Sequence, residues 1–200
     1  MMNVKTVGIT TEASAFINPP VKIPLYLKFG IWISKKVTKK DLLAPKLLAW
    51  YPKVAISSGV LESLVAHGKR ELNGRILKLV RIQSSICVAC PFCVDMNSFE
   101  FEKKGITLEE MQGLDGHILM DQIHTFSKRE RLAIDYAKLI SQSPVTIPIA
   151  FMDELKQAYT EREIVILAST AAQVNYWARM LVALGVPPAG FSQSCNLENK

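Results

Sequence analysis

The sequence has few of the residues on which metal centres depend. It contains three histidines and four cysteines among 200 residues, and the histidines lie far apart at positions 67, 117 and 124. A structural zinc site usually draws paired cysteine or histidine ligands from two parts of the chain. No second pair accompanies the cysteines, so no metal is predicted. His67, His117 and His124 are interpreted as surface or capping residues.

Long hydrophobic runs are also missing. The longest apolar stretch, Ile23 to Ile33, is interrupted by Pro24, Lys28 and Gly30, and it is shorter than the ~18 residues that a membrane span needs. The first 20 residues lack the basic and apolar regions of a signal peptide. We therefore expect a cytoplasmic protein, in which thiols stay reduced unless they cycle during catalysis.

No segment alternates between apolar and polar residues with a period of two, which is the pattern of a half-buried strand. Apolar residues instead recur at helical spacing through almost the whole chain. Three Ser/Thr-x-x-Glu patterns, beginning at Thr107, Ser127 and Thr160, are capping boxes that mark helix starts. The sequence predicts an all-α fold of about eight to ten helices.

The predicted organisation is an N-terminal arm at residues 1–20, one all-α domain at residues 21–188 and a frayed polar tail at residues 189–200. The first helix is expected at Leu25–Thr38, with an apolar stripe opposite its lysines. The helix that carries the cysteines is expected to continue from Val94 to Lys104, because no breaker occurs before Gly105.

Acidic residues are scarce in one part of the chain. Between Lys22 and Lys53 there are eight lysines and one acid, Asp41, a local charge of +7 within a total of +6. We interpret this segment as a solvated helical face, with a membrane surface or an acidic partner as the alternative. Nucleic acid is not expected as a partner, because no recognised binding motif accompanies the lysines.

Three of the four cysteines, Cys87, Cys90 and Cys93, are spaced by three residues. A Cys-x-x-Cys pair in a chain that is not secreted is more often redox-active or metal-binding than structural. Pro91 is typical of the first turn of a helix, where its missing N–H has no partner to lose. Free N–H groups and the helix dipole at that point lower the pKa of a thiol. The pattern favours a redox pair at a helix start.

The same run matches the first three cysteines of a bacterial ferredoxin motif. The fourth ligand of that motif is a cysteine followed by proline, and this chain has Asn97 and Ser98 there. An iron–sulfur cluster is therefore not favoured, and no cofactor is predicted. Cys87 is either a third thiol that exchanges with Cys90 or a packed small apolar residue, and we favour the second. Cys195 is interpreted as incidental.

Two parts of the chain together resemble a known family. Residues 70–81 (Arg-Glu-Leu-Asn-Gly-Arg-Ile-Leu-Lys-Leu-Val-Arg) and 90–97 (Cys-Pro-Phe-Cys-Val-Asp-Met-Asn) resemble the core signature of the carboxymuconolactone decarboxylase-like family, on its alkylhydroperoxidase D-like branch. The C-terminal half of its longer members is similar to residues 126–137, 160–165 and 175–186. The resemblance covers roughly Asp41 to Val186.

This resemblance implies packed antiparallel helices that assemble into a homo-oligomer. It also implies a thiol–disulfide oxidoreductase with weak alkylhydroperoxidase activity, acting on a peroxide or disulfide and regenerated by a thiol reductant. Cys93 would attack the peroxide and Cys90 would resolve it. The family relays protons through a histidine four residues after the second cysteine and a glutamate twelve before the first. This chain has Asn97 and Lys78 at those positions.

These two replacements decide what can be expected of the site. Asn97 can form a hydrogen bond with a thiol or a peroxide, but it cannot accept a proton as a base. Lys78, with Arg81 one turn later, would favour the thiolate through its positive charge. Two alternatives stay open: a cofactor-free decarboxylase like those of the family's other branch, and a non-catalytic oligomeric helical protein.

Overall fold

A computed structural model of the protein describes residues 14–64 and 71–192. These residues form nine α-helices and no strand, which confirms the predicted all-α fold. The helices are α1 (Leu25–Thr38), α2 (Leu43–Leu47), α3 (Pro52–Leu64), α4 (Gly74–Cys87), α5 (Pro91–Ser98), α6 (Leu108–Asp115), α7 (Lys128–Ser141), α8 (Ile149–Ala158) and α9 (Glu161–Ala183). Short 3₁₀ segments occupy Leu48–Trp50, Phe101–Lys104 and Met120–Gln122.

All three predicted capping boxes are present. Thr107, Ser127 and Thr160 each accept the backbone N–H of the glutamate three residues later, and that glutamate accepts the N–H of the capping residue in return. Two otherwise unpaired N–H groups are thereby satisfied at each helix start. The starts of α6, α7 and α9 are therefore determined by local sequence.

Helix α4 lies at the centre of the fold and packs against α5, α7 and α9. Ile76 and Val80 belong to a buried cluster with α7, α8 and α9, whereas Leu79 and Ile82 belong to another with α6 and α7. Residues three and four apart share a helix face, so α4 presents apolar faces in two directions. Cys87, the last residue of this buried helix, leads directly to the cysteine pair.

Arg75, in the first turn of α4, joins two of the capping boxes. Its Nε donates to Glu130 Oε1 and its Nη2 to Glu110 Oε1, each at 2.6 Å. Burial raises the pKa of both carboxyl groups, but the hydrogen bonds from Arg75 and from the capping residues outweigh burial and hold each pKa below its usual value. One guanidinium thus connects the starts of α6 and α7 to α4.

The predicted continuous helix from Val94 to Lys104 is wrong. Helix α5 ends at Ser98, and Glu100 adopts a left-handed conformation with φ of 54° before the short 3₁₀ segment begins. Phe101 is 4% exposed and packs in the cluster between α4, α6 and α7. Burial of this ring outweighs the modest helix propensity of the segment.

Helix α1 occupies the predicted range, but its apolar stripe does not pack into the core. Leu25, Phe29, Trp32 and Ile33, which we call the α1 stripe, are all exposed, and Leu27 is the buried residue of this helix. No helix in the described parts of the chain is long and apolar enough to cross a membrane.

The described part of the N-terminal arm is held against the domain. The Phe16 N–H donates to the Leu184 carbonyl at 3.0 Å, and the Trp50 indole N–H donates to the Asn18 carbonyl at 2.7 Å. Residues 1–13 of the predicted arm lie outside the described residues, as do His67 and Cys195.

Candidate redox site

Cys90 and Cys93 form a disulfide at the start of α5, with their Cα atoms 5.2 Å apart. Cys90 is the N-cap residue, Pro91 is the first helical residue, and the Cys93 N–H donates to Cys90 Sγ at 3.2 Å. The predicted position of the pair at a helix start is confirmed. A reduced Cys90 sulfur here would keep the Cys93 N–H as a donor and would lie at the positive end of the helix dipole, both of which favour a thiolate.

The disulfide is almost completely covered, since Cys90 is 1% and Cys93 is 3% exposed. Cys93 lines a cavity of about 140 Å³, which we call the Cys93 pocket, whereas Cys90 is absent from its lining. The apolar walls include Leu42, Phe92, Met96, Val174, Trp177 and Leu181. A small molecule in the pocket therefore contacts Cys93 rather than Cys90.

A carboxylate also lines the Cys93 pocket. Glu62 of α3 accepts hydrogen bonds at Oε2 from Gln173 Nε2 at 2.6 Å and from the Trp177 indole N–H at 3.0 Å. The sequence does not single out Glu62, because nothing in its local pattern distinguishes it from a surface glutamate. It reaches the pocket only because α3 and α9 approach each other in the folded chain.

Asn97 lines the Cys93 pocket together with Cys93. The Asn97 Nδ2 group donates to Ser85 Oγ at 2.9 Å, and the Ser85 hydroxyl donates to the Arg81 carbonyl at 2.7 Å. The amide of Asn97 is therefore oriented by α4, through Ser85.

Lys78 and Arg81, the two cations predicted near the cysteine pair, differ in their position relative to the Cys93 pocket. Lys78 Nζ donates to the Phe99 carbonyl at 2.8 Å, at the C-terminal end of α5 and roughly 9 Å along the helix axis from Cys93. Burial, followed by repulsion from Arg81 and Lys104, lowers the pKa of Lys78 to about 8. Arg81 lines the Cys93 pocket and Lys78 does not. Of the two predicted cations, Arg81 is therefore the one that shares a pocket with Cys93.

Cys87 is an exposed free thiol, so its interpretation as a packed apolar residue is wrong. It is the last residue of α4. Its sulfur accepts a hydrogen bond from Gln83 Nε2 at 3.3 Å. Cys87 lines a second cavity of about 1060 Å³, the Cys87 pocket. Among the described residues, no group of three or more histidine, cysteine or acidic side chains could hold a metal ion.

Asp95 binds the chain after α9 to the helix that carries the cysteines. Its Oδ2 accepts the Ala189 N–H at 2.8 Å and its Oδ1 accepts the Ser192 N–H at 2.7 Å. Residues 189–192 are therefore not frayed, contrary to the prediction for the tail. A buried carboxylate that satisfies two backbone donors is a strong local restraint.

Solved structures of peroxidase-related and AhpD proteins share the architecture of this chain. The TM-score is 0.77 with an uncharacterized peroxidase-related protein from Silicibacter sp. TM1040, at 14% identity and covering 94% of this chain and 100% of that one. It is 0.74 with the alkylhydroperoxidase AhpD core of a peroxidase-related protein from Ralstonia eutropha JMP134, at 14% identity and covering 90% and 94%. The chain has an AhpD-like fold. This confirms the fold that the sequence resemblance implied.

The debrominase Bmp8 also shares the AhpD-like fold. Its complex with 2,3,4-tribromopyrrole superposes with a TM-score of 0.73 at 14% identity, covering 92% of this chain and 95% of that one. Identities this low support the fold alone.

The sequence identity to curated relatives is too low to assign the chain to a family. No family model matches the chain. The uncharacterized protein YnjA of Escherichia coli K12 is 26% identical over 187 residues, which are 91% of this chain and 97% of that protein. The uncharacterized protein YdfG of Bacillus subtilis 168 is 25% identical over 115 residues, 57% of this chain and 76% of that protein.

Proposed function

We propose that this AhpD-like protein is a thiol–disulfide oxidoreductase with weak alkylhydroperoxidase activity. The observation that carries the proposal is the Cys90–Cys93 disulfide at the start of α5, with Cys93 on the wall of a small pocket. A cysteine pair at a helix start is suited to reversible oxidation, because the thiolate is stabilised in the reduced state.

The proposed reaction begins with the reduced pair. The Cys93 thiolate attacks the terminal oxygen of a hydroperoxide, the O–O bond breaks, and an alcohol leaves after taking a proton. Cys93 becomes a sulfenic acid. The Cys90 thiolate then attacks Cys93 Sγ, the S–O bond breaks, water leaves after protonation, and the disulfide forms. Two equivalents of an external thiol return the pair to the dithiol state and leave as their own disulfide.

The charged residues of the Cys93 pocket support the first step. Arg81 supplies a positive charge that favours the Cys93 thiolate. Glu62 supplies a proton acceptor that Asn97 cannot provide, and Trp177 and Gln173 fix its Oε2. In this proposal Glu62 accepts the proton. The family that the sequence resembles uses a histidine and a glutamate for this, at the positions that Asn97 and Lys78 occupy here. One carboxylate in place of a two-residue relay is consistent with weak peroxidase turnover.

The pocket favours small organic hydroperoxides. Its volume of about 140 Å³ and its walls of aliphatic, methionine and aromatic side chains suit a short apolar group. The reacting oxygen would lie against Cys93 on the pocket wall. We also propose a cytoplasmic location, since a reducing compartment supplies the thiol that reopens the disulfide.

We further propose that the protein is a homo-oligomer. The α1 stripe exposes Leu25 at 82% and Phe29 at 62%, together with Trp32 and Ile33. Large contiguous apolar side chains on a surface are typical of an interaction site, and a second copy of the chain would cover them. Light scattering should give a mass at least twice the 22.3 kDa of the chain. A monomer at micromolar concentration would contradict this part of the proposal.

The test of the redox function is peptide mapping of the reduced protein after exposure to cumene hydroperoxide. We expect peroxide to produce a Cys90–Cys93 disulfide in the wild type and a trapped sulfenic acid at Cys93 in Cys90→Ser. Cys93→Ser should not consume the peroxide, because it lacks the attacking thiol. Cys195→Ser is the matched control and should behave like the wild type. If both thiols of the pair stay free after treatment, the proposal is wrong.

Turnover measured with a panel of substrates should separate the redox function from the decarboxylase and non-catalytic alternatives. A brominated pyrrole belongs in it because a debrominase shares the fold, and a lactone acid tests the decarboxylase alternative. Turnover of the lactone acid by Cys93→Ser would show a reaction that does not use the pair. No reaction with any substrate, together with inert thiols, would favour a non-catalytic helical protein.

A further inference from the structure

The disulfide has no exposed sulfur through which an external reductant could act. Cys90 is 1% exposed and Cys93 is 3% exposed. The pocket beside Cys93 has a volume of about 140 Å³, which suits a small peroxide and is narrow for a larger thiol. Thiol–disulfide exchange needs direct approach of the attacking sulfur to the disulfide. Reduction therefore requires either local opening or another route.

Cys87 lies where such a route would begin. The chain reverses after α4 through Ala89, which has φ of 48°, and the Cys90 N–H donates to the Ser85 carbonyl at 3.2 Å. This hydrogen bond holds the backbone of Cys90 against the last turn of α4, the turn that carries Cys87. Cys87 is exposed and Cys90 is buried three residues later, so this short segment of the chain runs from the surface to the disulfide.

The side chain of Gln83 is directed at Cys87 from the buried side of α4. Gln83 is 3% exposed, its Nε2 donates to Cys87 Sγ, and its Oε1 has no hydrogen-bond partner among the described residues. The amide N–H stabilises a thiolate. After rotation of the amide, Oε1 would accept the S–H of the neutral thiol. The side chain that contacts Cys87 therefore also carries a buried oxygen, Oε1, without a hydrogen-bond partner among the described residues.

The Cys87 pocket is also equipped for an anionic ligand. Its volume of about 1060 Å³ is far larger than that of the Cys93 pocket, and its walls carry Lys138 and Arg179. Arg179 Nη2 donates to Ser143 Oγ at 2.8 Å, and Lys138 Nζ lies 3.3 Å from Asp135 Oδ1 in an exposed pair. Within residues 14–64 and 71–192, Arg179 contacts a neutral hydroxyl, so its charge is open to a carboxylate.

We propose that Cys87 is a relay thiol and that the Cys87 pocket binds the reductant, an anionic low-molecular-weight thiol. This inference rests on the proposed redox function of the Cys90–Cys93 pair. Peroxide would reach the pair from the Cys93 pocket, and electrons would reach it from the Cys87 pocket. Separate entrances allow a buried disulfide to react with two partners of different size.

The relay takes place in three exchange steps. The Cys87 thiolate attacks Cys90 Sγ, the Cys90–Cys93 bond breaks, and Cys93 leaves as a thiolate. The external thiolate attacks Cys87 Sγ, the new Cys87–Cys90 bond breaks, and Cys90 leaves as a thiolate. A second external thiolate attacks the external sulfur of the mixed disulfide, which releases the Cys87 thiolate and the disulfide of the reductant. Two external thiols are oxidised and one protein disulfide is reduced.

The experiment measures re-reduction and starts from protein oxidised with diamide, so it does not depend on reactivity toward peroxide. Wild type and Cys87→Ser are mixed with glutathione, and the appearance of free Cys93 is followed by rapid alkylation and mass spectrometry. We expect Cys87→Ser to slow re-reduction by at least about tenfold, since its disulfide must open locally before glutathione can attack. An equal rate in both proteins would overturn the relay.

The charge of the Cys87 pocket is tested with a second thiol. The ratio of the re-reduction rates with glutathione and with uncharged 2-mercaptoethanol should fall about two- to fivefold in Lys138→Gln and in Arg179→Gln. Lys156→Gln, an exposed lysine of α8 outside both pockets, is the matched control. The same ratio in all four proteins would overturn the assignment of an anionic reductant.

A trapping variant tests the relay bond itself. In Cys93→Ser, mild oxidation with diamide should produce a Cys87–Cys90 disulfide, identified by peptide mapping. If Cys87 and Cys90 both stay free, the first exchange step does not occur. Failure of the wild-type pair to oxidise with peroxide would contradict the proposed function, whereas failure of these exchange measurements would contradict the relay alone.

Discussion

Glu62 and Trp177 meet at the wall of the Cys93 pocket, where Glu62 Oε2 accepts the indole N–H at 3.0 Å. The second donor, Gln173, approaches the same oxygen at 2.6 Å. Both donors come from α9, so the carboxylate of α3 is held in one orientation by the longest helix of the fold. A carboxylate that is fixed on the wall of the pocket that Cys93 lines can act as a general base for a molecule bound there.

Replacement of Glu62 by Gln should slow oxidation of the reduced protein. The amide keeps the size of the side chain but cannot accept a proton, so we expect a loss of about tenfold at neutral pH, below the range for a fully oriented base. The loss should fade at high pH, where Cys93 ionises unaided. Stopped-flow oxidation by cumene hydroperoxide measures both effects. Glu109→Gln, on the exposed face of α6, is the control, and identical pH–rate profiles would remove Glu62 from the reaction.

Replacement of Asn97 by His should have the opposite effect. An imidazole with a pKa near ~6.5 would stand on the face of α5 that carries Cys93, within reach of Ser85 as an orienting partner. We expect the peroxide-dependent oxidation rate to rise by roughly one order of magnitude at neutral pH, and the gain to fade at high pH. Asn97→Gln is the control without a base. A rate that is unchanged or lower, with the fold intact by circular dichroism, would show that position 97 does not act on Cys93.

Replacement of Asp95 by Ala should destabilise the protein and release the chain after α9. Two backbone N–H groups, those of Ala189 and Ser192, would lose a charged acceptor, and we expect a loss of about 1.5–3 kcal/mol in the free energy of unfolding. Urea unfolding measures the loss, and limited proteolysis should cut near residue 190 more rapidly. Asp153→Ala, an exposed residue of α8, is the control. Equal stability of both variants would show that the two hydrogen bonds contribute little.

Replacement of Lys78 by Met should flatten the dependence of stability on alkaline pH. Burial and the charges of Arg81 and Lys104 lower the pKa of Lys78 from 10.5 to about 8. Between these two values the unfolded chain binds more protons than the folded one, so the free energy of unfolding from this group rises as the pH increases. Below about pH 8 the lysine is protonated in both states and adds no slope. Urea unfolding between pH 7 and pH 10.5 should show the rise in the wild type and in the control Lys156→Met, but not in Lys78→Met. Parallel profiles for all three proteins would contradict the lowered pKa.

Features that depend on a few neighbouring residues were predictable. The three capping boxes form because a hydroxyl and a glutamate three residues apart satisfy each other's backbone donors. The disulfide position follows similarly from the spacing of Cys90 and Cys93 around Pro91. The break at Glu100 was not predictable in the same way, because it depends on the burial of Phe101 against α6 and α7.

The amino-acid sequence by itself determined the helices, their capped starts and a cysteine pair at the N-terminus of α5, since these rest on contacts within one or two helical turns. Tertiary structure decided which side chains surround that pair. Glu62, Arg81 and Trp177 come from three different helices, and Asp95 reaches residues beyond α9. Their convergence depends on how α3, α4, α5 and α9 pack, because helix packing joins residues whose sequence separation carries no signal.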